Sequence, residues 1–128
     1  MRFKLLAAVL GITILFASVA TAAQAKKKYS TSIHYLNRSL VSPPSRDTVF
    51  SGNLRSRKRA CTQLRIVSGS QNPGNGFHPF DIALSSSHGA WAVRGVVARR
   101  SQVKIVVPKQ RHRRYVCKRA SLILPATP

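Results

Sequence analysis

Beyond residue 48 the chain repeats one pattern, a short run of alternating apolar residues followed by a turn. Phe80, Ile82 and Leu84 have Asp81 and Ala83 between them. Trp91 and Val93 follow a Ser85–Gly89 turn, and Val103, Ile105 and Val107 alternate with Gln102 and Lys104. A period of two sends successive side chains to opposite faces of an extended strand. Outside the N-terminal segment, no window of helical length carries a 3.6-residue apolar stripe. The chain is therefore expected to be all-β.

The other strands follow from the same pattern. Tyr29, Thr31, Ile33 and Tyr35 predict a first strand, and residues 37–47 read as a polar linker because Pro43-Pro44 is incompatible with a central strand. Val49, Phe50 and Leu54 mark a second strand with Gly52 at a bulge, and Leu64 and Ile66 mark one over 61–67. Residues 68–79 read as a loop, and the final strand spans Tyr115 to Leu124. Six to seven short strands at roughly ten-residue spacing predict a single antiparallel β-sandwich, Ig-like or transthyretin-like. Its expected core is Phe50, Leu64, Ile66, Phe80, Ile82, Leu84, Trp91, Val93, Val103, Ile105 and Leu122. The boundaries read as 1–25, signal; 26–47, N-terminal strand and linker; 48–128, sandwich.

Residues 1–25 have the three parts of an export signal. Arg2 and Lys4 form the positive end, Leu5 to Ala20 is uncharged and apolar, and Ala23-Gln24-Ala25 fits the small-x-small cleavage rule. An uncleaved anchor is the competing reading, opposed by the small residues before Lys26. A signal of this kind implies secretion or residence at the cell envelope.

Charge sets the expected partners. Beyond Ala25 the twenty Lys and Arg residues face two acids, Asp47 and Asp81, and the chain has no glutamate, so the exported part carries a net charge near +18. Such an excess concentrates polyanions through a long-range field that salt screens. It also leaves almost no internal ion pairs to offset self-repulsion.

Cys61 and Cys117 are the two cysteines. In an oxidising compartment a lone pair reads as one disulfide, worth about 4 kcal/mol in the chain-entropy model for a loop of this length. Free thiols or a link to another chain are the alternatives.

From Thr48 to Leu124 the order of features resembles the carboxypeptidase regulatory-like, or transthyretin-like, sandwiches of small secreted bacterial proteins. The residues that carry the resemblance are Phe50-Ser51-Gly52, the cysteine-bearing segment Cys61 to Val67, the Ser87-His88-Gly89-Ala90-Trp91-Ala92-Val93 step, and Cys117 before the last strand. That step is similar to a polar-x-Gly-x-aromatic hairpin, with serine and histidine where an acid is usual. The resemblance implies a non-catalytic accessory fold and assigns no ligand.

The basic residues are clustered. Arg55, Arg57, Lys58 and Arg59 precede Cys61, and Lys109, Arg111, Arg113, Arg114, Lys118 and Arg119 flank Cys117. A Cys61–Cys117 bond brings the Cα atoms within about 7 Å and makes the clusters neighbours. Counting strand crossings also puts the 55–60, 85–89 and 108–116 turns at one end, with 68–79 and Arg99-Arg100 at the other. That end is the candidate polyanion-binding surface, for nucleic acid, envelope polymers or acidic lipids, against the plainer reading of a solvated basic surface. No base-reading motif is present, so nucleic-acid binding would be sequence-blind. Tyr115 and His112 fall within the second cluster.

Catalysis finds little footing. Paired carboxylates would need Asp47 and Asp81 together, a Ser-His-Asp set can be assembled in too many ways to inform, and His34, His78, His88 and His112 lack metal-ligand spacing. The expectation is no enzyme, no cofactor, no metal and no small-molecule substrate. A membrane-active defence or toxin-like protein is the second reading, and an interaction module using a sheet edge the third. Membrane activity needs an apolar face beside the charge, and no amphipathic segment beyond residue 25 supplies one.

Overall fold

The computed structural model describes residues 25–41 and 45–126. The signal reading over residues 1–25 and the Pro43-Pro44 break lie outside the described residues, Ala25 aside.

The described chain is all-β. Its strands are β1 (Lys27–Tyr29), β2 (Thr31–Leu40), β3 (Asp47–Ser56), β4 (Ile66–Asn72), β5 (His78–Leu84), β6 (Ala90–Val96), β7 (Gln102–Val107), β8 (Gln110–Arg111), β9 (Tyr115–Cys117) and β10 (Ala120–Leu124), with a 3-10 turn over Arg59–Cys61. One sheet runs β2-β3-β6 and a second runs β10-β7-β4-β5. Both are antiparallel throughout. They face each other across a core of Phe50, Leu54, Val67, Trp91, Val93, Val97, Val103, Ile105, Val107 and Leu124. A small third sheet, β1-β9-β8, closes one end, and its β1–β9 pair is parallel. Full burial of residues such as Ile105 contributes about 1.5–3 kcal/mol each. Among the described residues every strand, the core and the disulfide lie between Lys27 and Leu124.

Several elements differ from the sequence reading. β2 continues to Leu40, so residues 37–40 of the expected linker are strand paired with β3. The bulge expected at Gly52 falls on the partner strand. Tyr35 pairs with Gly52 and Asn37 with Ser51, leaving Leu36 as the extra residue. Cys61 sits on the 3-10 turn rather than on a strand, and β4 extends to Asn72, shortening the loop expected over 68–79. The last strand is interrupted at Lys118-Arg119, between β9 and β10.

The largest correction concerns which face is inside. Leu64, Ile66, Ile82 and Leu84 were expected in the core and are exposed. Phe80 and Leu122 are half-buried and pack against the core. The cause is parity. On β5, Asp81 pairs with Gly69 and Pro79 with Ser70, so Phe80 is an extra residue in the ladder. An inserted residue inverts the in–out order on one side of it. Phe80 turns toward the core, and Ile82 and Leu84 face outward.

Phe80 has room because its neighbours are glycines on both sheets. A Cβ at Gly95 would lie 2.5 Å from Phe80 Cδ2, and one at Gly69 would lie 2.7 Å from Cζ. The ring therefore wedges between β4 and β6, with Phe50 6.0 Å away. The β5 and β6 edges meet beside it. Asp81 accepts hydrogen bonds from the Arg94 N–H (2.8 Å) and the Ile82 N–H (2.9 Å), tying the edge of β6 to β5. Both of these donors are backbone amides.

Candidate functional site

The chain returns to one end of the sandwich four times, and the fastenings there are specific. Cys61 and Cys117 form a disulfide with Cα atoms 5.4 Å apart. β1 lies alongside β9, with Tyr29 opposite Cys117 and the Lys118 N–H donating to Tyr29 O (2.8 Å). The Leu54 N–H donates to Gly89 O (2.8 Å), and Ser85 Oγ donates to Thr62 O (2.8 Å), which brings the 85–89 turn to the same end. Gly89 takes φ +83 there, a left-handed conformation suited to glycine. This turn passes from β5 in one sheet to β6 in the other, so it is an arch between sheets and not a hairpin. At the opposite end, Asn72 pairs with Gln102, the Val97 N–H donates to Arg46 O, and Arg99-Arg100 lies in that turn.

Arg65 organises the pole and was missed in the sequence. Its side chain is buried, 1 % exposed, with no carboxylate partner among the described residues. It is held by oxygen acceptors. Nη1 donates to Cys61 O (2.7 Å) and Thr31 Oγ1 (3.1 Å), and Nη2 donates to Pro108 O (2.7 Å) and Lys118 O (3.4 Å). Its own N–H donates to Ser85 Oγ (2.9 Å). Burial holds its pKa below the ordinary arginine value. One guanidinium thus joins the start of β2, the 3-10 turn and the segments following β7 and β9. A planar fork with five donors can do this; an ammonium cannot.

The ten basic residues expected at this end all lie in its segments. Arg55, Arg57 and Arg59 are exposed around the end of β3 and the 3-10 turn. Lys109, Arg111, Arg113, Arg114, Lys118 and Arg119 are exposed on and between β8, β9 and β10. Lys58 is half-buried. Its Nζ lies 4.8 Å from the Tyr115 ring centroid and 5.9 Å from that of Tyr29. The two tyrosines meet edge to face at 6.1 Å, and His112 stacks on Tyr115 at 4.3 Å. Facing a cation, each ring contributes about 0.5–1 kcal/mol at an exposed site.

The same end gains residues from the N-terminal strand-and-linker segment, which the sequence reading did not assign to it. Lys26 Nζ donates to His112 O (2.9 Å), and Lys27 Nζ lies 5.4 Å from the Tyr29 centroid. An open groove of about 650 Å³ runs beside β1, lined by Lys27, Lys28, Tyr29, Ser30, Ser32, Arg55, Ser56 and Arg57. It offers cations and hydroxyls and no carboxylate. The basic run Lys26-Lys27-Lys28 was visible in the sequence; its docking against β9 was not.

Both acids lie elsewhere. Asp47, at the far end, accepts from Arg94 Nη2 at 2.6 Å in the single ion pair among the described residues. The Arg94 hydrogen bonds hold its carboxyl below the usual range, and the pairing raises Arg94. Among the described residues no group of three His, Cys, Asp or Glu side chains is placed to hold a metal ion, and no helix is long and apolar enough to cross a membrane.

No protein-family model, curated protein or solved structure matches the chain.

Proposed function

We propose that this is a secreted, non-catalytic binding protein whose basic pole engages anionic polymers or surfaces at the cell envelope. The observation that supports it most is the gathering at one cross-linked end of three basic segments, 26–28, 55–59 and 109–119, with no carboxylate among them. Like charges held within a Debye length of about 8–10 Å repel, and a bound polyanion removes that repulsion while releasing counterions. Arginine predominates among the exposed cations, and its fork matches phosphate, sulfate and carboxylate groups. The disulfide suits an oxidising compartment, in agreement with export.

The test is retention of the protein on heparin and on DNA as salt is raised. Retention at low ionic strength with release by salt is expected. The double variant Arg113→Ser/Arg114→Ser should elute earlier and lower the log–log salt slope on DNA by about two. Failure of the wild-type protein to bind either matrix at low ionic strength would remove the reading.

A further inference from the structure

The four-stranded sheet has an outer face with no partner among the described residues, and its composition is unusual for so basic a protein. Register puts Ile66 opposite Leu84, Ser68 opposite Ile82 and Val106, and Lys104 opposite Ile123, all on the side away from the core. Ile66, Ile82, Leu84 and Ile123 are each more than half exposed, as is neighbouring Leu64. Lys104, the one cation on this face among the described residues of its four strands, lies with its Nζ 5.3 Å from the Phe77 ring centroid.

The face continues into the basic pole. Ile66 and Leu84 pair at the end of the sheet where Arg65 and Ser85 join the pole fastenings. Lys109 follows β7 within two residues, and Lys118-Arg119 directly precede β10. An apolar surface bordered along one end by exposed cations is the combination that holds a protein at a membrane interface. The apolar side chains enter the acyl boundary and the cations meet acidic headgroups. Lys104 can extend along the face and keep its ammonium at headgroup level. A nucleic acid or sulfated polymer would satisfy the cations and leave the apolar side chains in water. A second copy would cover the apolar face and leave the cations beside it without an anionic partner.

Resting on the polyanion-binding reading of the pole, we propose that the anionic partner is a bilayer with acidic lipid headgroups, and that the outer face of the β10-β7-β4-β5 sheet lies against it.

The probe is the disulfide-bonded chain from Lys26 to Pro128, which holds every described strand and the core; a cooperative unfolding transition confirms its fold. Sedimentation with phosphatidylcholine vesicles, with and without phosphatidylglycerol, is compared with heparin retention. The wild-type protein should bind the acidic vesicles, and part of that binding should persist at salt that releases heparin. Ile82→Ser/Leu84→Ser changes two exposed side chains, so it should keep its transition and heparin retention while losing acidic-vesicle binding on the order of tenfold. Equal vesicle binding by this variant would overturn the proposal, as would wild-type protein that binds heparin and ignores acidic vesicles. A lipid-free dimer that the same substitutions dissociate would assign the face to a second copy and also overturn it. Loss of heparin binding by the wild-type protein is a different failure, that of the pole itself.

Discussion

Replacing Arg65 with methionine tests how the pole is held. The substitution keeps an unbranched stem of similar reach and removes the guanidinium. Two 2.7 Å bonds, to Cys61 O and Pro108 O, are lost with two longer ones. A hydrogen bond from a charged donor contributes about 1.5–3 kcal/mol, so the two short bonds represent about 3–6 kcal/mol. Against this stands the cost of burying a cation, several kcal/mol before its bonds are counted. The loss should prevail. The disulfide and the β1–β9 pair keep the acceptor oxygens converging on a space where methionine has no donor, so they remain desolvated and unpaired. A net loss of about 3 kcal/mol is expected, read by urea unfolding with the disulfide intact and the denaturant slope unchanged. Arg65→Lys should fall between, since an ammonium reaches only some of the acceptors. Hydrogen exchange should quicken at the Lys118 amide, which donates to Tyr29 O. A methionine variant as stable as the wild-type protein, or more so, would show that the desolvation cost dominates and that Arg65 does not fasten the pole.

Reduction of Cys61–Cys117 should lower stability by about 4 kcal/mol, measured as a drop in the denaturation midpoint with and without dithiothreitol. Gly95→Ala should cost about 1–3 kcal/mol because its Cβ meets Phe80; adding Phe80→Leu should recover part of that loss in chemical unfolding. Asp47 is held below the usual carboxyl range by Arg94, so its contribution is present above the ordinary carboxylate pKa and disappears as pH falls through the depressed value. In thermal melts taken downward from pH 7, Asp47→Asn should lack that acid-side fall. Heparin should raise the thermal midpoint more than sodium chloride of equal ionic strength, because binding adds a mass-action term to screening, about 2.7 kcal/mol at a hundredfold excess over Kd.

The alternation that predicted strands was legible because it is local. Val103, Ile105 and Val107 face inward as their period implies, and Trp91 and Val93 do the same on β6. The face chosen for β4 and β5 was wrong for a reason that local pattern does not contain. From 64 to 69 the chain offers two phases, Leu64-Ile66-Ser68 and Arg65-Val67-Gly69, and hydrophobicity favours the first. The structure takes the second and buries Arg65, because carbonyls brought together by the disulfide and the turns satisfy it. On β5 one extra residue reverses the order after Phe80, and its local mark is the adjacent Pro79, a residue that sheets admit at edges and bulges. The candidate pole was better placed, since one disulfide and a count of strand crossings determine which turns share an end. The β1 contribution was not visible because a three-residue parallel pairing between residues 88 apart in the chain leaves no local pattern.

Scarcity of carboxylates explains how this pole is constructed. Of the two acids, Asp47 binds Arg94 at the far end and Asp81 caps the edge of β6, so neither neutralises a pole cation. The buried arginine must therefore take backbone oxygens, and the exposed ones face water. Repulsion among them favours spreading that end apart, and the fastenings opposing it are a covalent bond, a backbone pairing and the Arg65 acceptor cluster. Charge needed only for solubility would meet less repulsion if dispersed over both sheets. Drawing distant basic segments together under a cross-link raises the local potential at the expense of stability. Under the function proposed above, that arrangement gains its compensation when an extended anionic partner is bound.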